Sequence, residues 1–176
     1  MKIATRNLLA DMMLTALDDR VSAAALRCLV AYCRTIEHVS QSMPVARFLQ
    51  PAPEEIHEAV SAKLAANPLL TWDLCGGSVQ VTLSTNFSSE WREIIDKLIC
   101  FGAALDGWSP HEGTSQTLAL QKGALLFNQH LFFEVHEVLE AQWLQESGDV
   151  KQFLQGLIQI AVAFHHREGA RRQCRS

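Results

Sequence analysis

The sequence lacks several features that would place a protein in a common functional class. Its five cysteines form no Cys-x-x-Cys pair and are odd in number, which argues against a disulfide framework or a thiolate zinc site and for a reducing compartment. We find no Gly-x-Ser-x-Gly elbow, no glycine-rich phosphate loop and no dinucleotide fingerprint, so these hydrolase and nucleotide-binding classes are not predicted. A net charge of -4 offers no broad basic face, and nucleic acid is not an expected partner.

Long hydrophobic runs are missing as well. The longest nearly apolar stretch, residues 156–164, is far shorter than the roughly 20 residues that a bilayer requires. Asp11 interrupts the apolar residues near the start, so no export signal is expected. Hydrophobic residues make up 48% of the chain and charged residues 19%, a composition that forms a folded core. We therefore expect a cytoplasmic protein without membrane association.

Residues 1–85 have the pattern of helices followed by a hairpin. Apolar spacing predicts a helix over 21–39, and the short segment 45–49 could form one or two turns. A proline suited to the first turn and an Asn-Pro stop predict a helix from Pro53 to Asn67. Alternating apolar residues on both sides of Gly76-Gly77 predict a β-hairpin. This order resembles the topology of a winged helix. DNA-binding regulation is one alternative function, but residues 1–87 hold seven Lys/Arg against eight Asp/Glu, which favours protein contact for this part.

The remainder of the chain has helical periodicity. Residues 86–115 are predicted to form a helix to about Phe101 and then a linker containing Gly102, Gly107 and Pro110. Residues 116–176 are predicted to form a separate helical domain, with helices over 116–128, 131–146 and 150–168. The predicted fold class is mainly α: a winged-helix-like part followed by a small all-α domain.

Side chains that can carry chemistry are concentrated in the last two predicted helices. His136 and Glu140 lie four residues apart, so both project from one helix face and could chelate one cation. His165 or His166 of the next helix could supply a third ligand, and His166 is the predicted one. Glu137 is then placed as a catalytic general base or a further ligand. Large apolar residues are interleaved with these groups, which predicts a semi-buried site. The residues predicted to bind a ligand or to support the site are Glu134, Trp143, Gln155, Gln159 and His165. Because no formal charge lies between Gln152 and His166, the amides are predicted to be buried against the His136 face.

This pattern leaves several functions open. The site would bind a divalent metal ion such as zinc, or a small polar ligand, and hydrolysis is one activity that it could support. Alternatively, the same residues form a buried polar network in a non-catalytic structural or interaction protein. The sequence does not decide whether the protein is an enzyme. A homodimer or another protein is the expected partner.

Two motifs in this region resemble a known family. They are the run from Phe132 to Trp143, preceded by Phe127-Asn128, and the run from Gln155 to Ala161, followed by His165-His166. Together they are similar to a prokaryotic and plastid family, domain of unknown function number 309. The resemblance implies a small all-helical domain, and a metal-dependent or hydrolytic role without a settled activity. The polar residues that it places in the family pattern are Glu134, His136, Glu137, Glu140, Gln155 and Gln159.

The chain departs from the family pattern in two places. His130 stands where the family usually has a glycine. After His165-His166 the family tends to continue with an asparagine and a further helix, whereas this chain continues for ten residues from Arg167 and its helical domain is expected to be truncated. A missing helix would leave one side of the site open or require a partner chain to cover it, or would mean an inactive copy.

Overall fold

The computed structural model describes residues 1–109 and 112–173, the last six of these by their backbone only. It is mainly α-helical, as predicted: the described residues form eight α-helices and one three-stranded sheet. The chain divides into two compact units, Met1–Leu105 and Asp106–Ser176. None of the helices in the described ranges combines the length and hydrophobicity needed to cross a bilayer.

The first unit begins with two helices of equal length. Helix α1 spans Ile3–Asp18 and helix α2 spans Arg20–Thr35. Asp19 separates them and caps α2, because its Oδ2 atom accepts a hydrogen bond from the Ser22 backbone N–H at 2.8 Å. Helix α1 was not predicted from the sequence, and α2 ends at Thr35, four residues before its predicted end. Cys28 and Cys33 of α2 are buried, and burial raises the pKa of these thiols to about 11 and about 12.

A small sheet and two short helices complete the middle of this unit. Strand β1 is Met43–Pro44, helix α3 is Val45–Phe48, and a 3₁₀ turn over Glu54–Ile56 leads into helix α4, His57–Ala65. Strands β2, Leu70–Cys75, and β3, Ser78–Leu83, form the predicted hairpin. Gly76 and Gly77 both have positive φ angles, 58° and 79°, which a tight two-residue hairpin turn requires. The antiparallel strand order is β1-β3-β2.

Helix α5 spans Trp91–Asp106 after a 3₁₀ turn at Thr85–Phe87. The predicted start of the following loop, at Gly102, was therefore wrong, because α5 continues for five residues beyond Phe101. Gly102 is buried in the helix, and a β-carbon built there would lie 2.8 Å from Cγ1 of Val30. Gly102 thus allows α5 and α2 to pack closely. Sequence periodicity alone could not distinguish a glycine with this packing role from a glycine that ends a helix.

The second unit contains helices α6, Ser115–Asn128, α7, Phe132–Trp143, and α8, Gly148–Gln173. Phe132 at the start of α7 contacts Phe164 in the second half of α8, with ring centroids 5.1 Å apart. Lys151 at the start of α8 lies over the Trp143 ring at the end of α7. These two pairs show that α7 and α8 run antiparallel.

The turn between α6 and α7 is a Schellman motif. The backbone N–H of Leu131 donates to the carbonyl of Leu126, and that of His130 donates to the carbonyl of Phe127, both at 3.0 Å. His130 has a φ of 58°, in the left-handed region that glycine adopts most easily. The residue that departs from the family pattern therefore occupies a position that favours glycine.

Candidate functional site

Helix α7 brings three of the predicted site residues together. Nδ1 of His136 lies 3.2 Å from Oε1 of Glu137, and its Nε2 lies 3.9 Å from Oε2 of Glu140. The imidazole is 25% exposed, and the carboxylates of Glu137 and Glu140 are 39% and 47% exposed. The histidine is thus semi-buried, as predicted, whereas the carboxylates are half exposed to solvent.

The spacing of these groups suits a metal ion. One ligand atom from each of His136, Glu137 and Glu140 can be chosen so that all three lie within 4.8 Å of one another. Ligands of a tetrahedral ion with bonds of about 2.1 Å lie about 3.4 Å apart, so small rotamer changes would close the set. Imidazole nitrogen and carboxylate oxygen are donors that zinc and other divalent ions accept.

Two aromatic rings lie beside this group. The Phe133 ring stacks on the His136 imidazole, with centroids 6.2 Å apart and planes inclined by 25°. The centroid of the His165 ring of α8 is 5.8 Å from that of Phe133. Phe133 therefore links the His136 group to α8. Sequence analysis did not assign Phe133 to the site, although its position three residues before His136 is the signal that could have done so.

His166, predicted as a metal ligand, is not part of the three-residue group. Its side chain is exposed, and its ring centroid lies 5.9 Å from that of His165. The structure brings His165, the neighbouring residue, closer to the α7 group through Phe133. The two histidines have different environments because consecutive residues on a helix differ by about 100° in direction.

The expected burial of the α8 amides is wrong. Gln155 and Gln159 are both exposed, so they do not form an inward-facing stripe against the His136 group. The absence of formal charge in this part of α8 predicts a low-dielectric interior, but it is equally compatible with an exposed uncharged surface. In the structure, the uncharged residues instead form part of an exposed helix face. Support of the site by these amides remains a prediction.

Glu134 and Trp143, which were also predicted to belong to the site, have environments that differ from that of His136. Glu134 is completely buried in α7. Trp143 is seven residues beyond His136, which corresponds to about 10 Å along the helix axis. Its ring packs against Lys151, whose Nζ atom lies 4.3 Å from the ring centroid. This contact joins the end of α7 to the start of α8, and it was not predicted from the sequence.

Helices α7 and α8 thus define an all-helical domain with a histidine-carboxylate group on one helix. Residues 120–175 match the model of a family described as Domain of unknown function (DUF309). This match lies in the C-terminal half of the chain and confirms the resemblance seen in the sequence. No curated protein and no solved structure matches the chain.

Proposed function

We propose that the DUF309 domain of this protein binds a divalent metal ion through His136 and Glu140, with Glu137 beside them. The observation that carries the proposal is the convergence of three ligand atoms within 4.8 Å on one helix face. Two carboxylates held this close repel each other in the absence of a cation. A divalent ion would relieve that repulsion and would gain an imidazole nitrogen and a carboxylate oxygen as ligands, with a second carboxylate close by.

Glu137 has a second role in this proposal. Its Oε1 atom lies at hydrogen-bonding distance from Nδ1 of His136, and an Nδ1–H donor there leaves the lone pair of Nε2 available on the Glu140 side. Carboxylates that hold a ligating imidazole in this way raise its basicity and fix its orientation.

Hydrolysis is the reaction class that this arrangement suits best. A divalent ion lowers the pKa of a coordinated water molecule toward 7. Glu137 would accept the proton of such a water at a carboxylate oxygen, and its half-exposed position gives that oxygen access to solvent. Phe133 would restrict access on one side of His136.

Calorimetric titration of EDTA-treated full-length protein with zinc chloride and manganese chloride tests the proposal. We expect one site per chain for at least one of the two ions. His136→Ala and Glu140→Gln should each weaken binding about 10- to 100-fold. Glu54→Gln, which neutralises an exposed carboxylate of the first unit, is the matched control and should bind like the unmodified protein. The assignment would be refuted if His136→Ala and Glu140→Gln bound the ion as tightly as the Glu54→Gln control. It would also be refuted if the unmodified protein bound neither ion.

A further inference from the structure

The outward face of α8 has a regular stripe that packing within the second unit does not use. Phe153 and Ile160 are 55% and 49% exposed, and Gly156 and Ala163 on the same stripe are also exposed. Their spacing of three, four and three residues is that of the seam between two paired helices. Apolar side chains of this size on one stripe are typical of an interaction surface.

We propose that this stripe is a homodimer interface, in which α8 pairs with α8 of a second copy in antiparallel orientation about a two-fold axis. This proposal is independent of the metal site. The stripe alternates large and small residues, and reversal of the second helix places each large residue opposite a small one. Phe153 then faces Ala163 of the partner subunit, and Ile160 faces Gly156 of the partner subunit. A self-complementary surface of this kind is what a two-fold interface requires.

Charge supports the same register. Asp149 and Arg167 continue the stripe at its two ends, four residues before Phe153 and four residues after Ala163, and both are exposed. The antiparallel pairing that places Ile160 opposite a glycine also places Asp149 opposite Arg167 of the partner subunit. The two ends of the interface would therefore carry one opposite-charge pair each. In a parallel pairing the same residues would face their own kind and repel.

The remaining residues of this face are compatible with a second copy. The segment 153–165 contains no Asp, Glu, Lys or Arg, so two identical faces can meet without like-charge repulsion. Apart from its chain neighbours and the backbone of its own helix, no atom of the described residues lies within 4 Å of the position that a β-carbon would take at Gly156. The glycine therefore serves no packing role within the described chain, although it costs a helix about 1 kcal/mol relative to alanine. A partner side chain that approaches the backbone closely would account for it.

Sedimentation equilibrium of the EDTA-treated full-length protein, from 1 to 200 µM, tests the pairing. The stripe from Asp149 to Arg167 is about 27 Å long, so we expect a dimer of modest affinity, with a Kd on the order of 10 µM. Ile160→Glu should raise the Kd at least tenfold, because it places a charge opposite Gly156 of the partner subunit. Gln155→Glu introduces the same charge on an exposed position of α8 outside the stripe and should change the Kd less than threefold. Circular dichroism checks that both variants remain helical.

A charge exchange tests the antiparallel register. Asp149→Arg and Arg167→Asp should each weaken the dimer several-fold, because each variant places like charges opposite each other. The double variant should recover a Kd within about threefold of the parent value, since the pairs are restored with reversed polarity. A monomeric parent protein at 200 µM, or a dimer that Ile160→Glu leaves unchanged, would overturn the proposal. Failure of the double variant to recover would overturn the register.

Discussion

Nε2 of His136 lies 3.9 Å from Oε2 of Glu140, one helical turn further along α7, and neither side chain is fully buried. The partial exposure of these side chains distinguishes a metal site from a purely structural network of hydrogen bonds. A buried network would lose a few kcal/mol when one member is removed, because its partners would be left without hydrogen bonds. Partly exposed side chains can instead be solvated by water.

We therefore expect His136→Ala to lower the free energy of unfolding of the metal-free protein by no more than about 1 kcal/mol. In the presence of a saturating metal ion, the parent protein should show a raised Tm and the variant should not, because only the folded parent binds the ion. Thermal unfolding with EDTA and with zinc chloride measures both effects. A loss of several kcal/mol in EDTA would favour the structural network.

The contact between Gly102 and Val30 gives a second prediction. Gly102→Ala should lower the free energy of unfolding by about 1–3 kcal/mol, although alanine favours a helix, because its β-carbon would lie 2.8 Å from Cγ1 of Val30. Val30 is 3% exposed and has little room to move. The control is Ala103→Ser, at the next residue of α5, which is exposed. This variant should change the free energy of unfolding by less than about 0.5 kcal/mol. Chemical denaturation measures both variants.

A double-mutant cycle tests whether the contact with Val30 causes the loss of stability in Gly102→Ala. If the steric contact is responsible, Gly102→Ala combined with Val30→Ala should cost less than the sum of the two single substitutions, with a coupling of about 0.5–2 kcal/mol. Additive costs would show that Gly102 is required for another reason.

Local signals in the sequence were sufficient for much of the fold. Alternation of apolar residues and a Gly-Gly turn predicted the hairpin, and the periodicity of α6, α7 and α8 predicted three helices close to their observed positions. The spacing of His136 and Glu140 predicted their proximity, because residues four apart on a helix share a face. Each of these features depends on residues within one or two turns of each other.

Features that depend on distant residues could not be predicted in the same way. Strand β1 has only two residues and exists because Met43 pairs with Val81 of β3. The position of Gly102 within α5 depends on Val30, 72 residues earlier in the chain. For α8, an absence of charge is compatible with burial in the chain or with an exposed uncharged surface. Only the structure shows that Gln155 and Gln159 are exposed.

Glu90 gives a prediction about pH. Its side chain is buried and accepts hydrogen bonds from the Lys2 backbone N–H and the Thr5 hydroxyl. The Lys2 N–H is the main reason that the pKa of Glu90 is lowered from its ordinary value of 4.5. The unfolded chain therefore binds a proton at a higher pH than the folded protein does. Stability from Glu90 is complete above pH 4.5 and is lost as the pH falls through the lower, folded-state pKa.

Glu90→Gln should therefore make the free energy of unfolding less dependent on pH below about 4.5, because the variant has no proton to bind at this position. Thr5→Val, which removes the weaker of the two donors, should reduce the slope by a smaller amount. Urea denaturation at a series of pH values from 3 to 6 measures the slopes. An unchanged slope in Glu90→Gln would show that other carboxylates control acid unfolding.

His130 provides a test of the turn between α6 and α7. Its φ of 58° costs a residue with a β-carbon about 1–2 kcal/mol, whereas glycine adopts this conformation without strain. Replacement by glycine alone would also remove the contact between the imidazole and the Phe132 ring, whose centroids lie 5.6 Å apart. A comparison of His130→Gly with His130→Ala avoids this problem, because both variants lack the ring. We expect the glycine variant to be more stable than the alanine variant by about 1 kcal/mol in urea denaturation. At positions with a negative φ angle, alanine would instead be the more stabilising of the two. Greater stability of the alanine variant would mean that the turn changes conformation when the imidazole is removed, and that contacts of the histidine ring hold the Schellman motif in place.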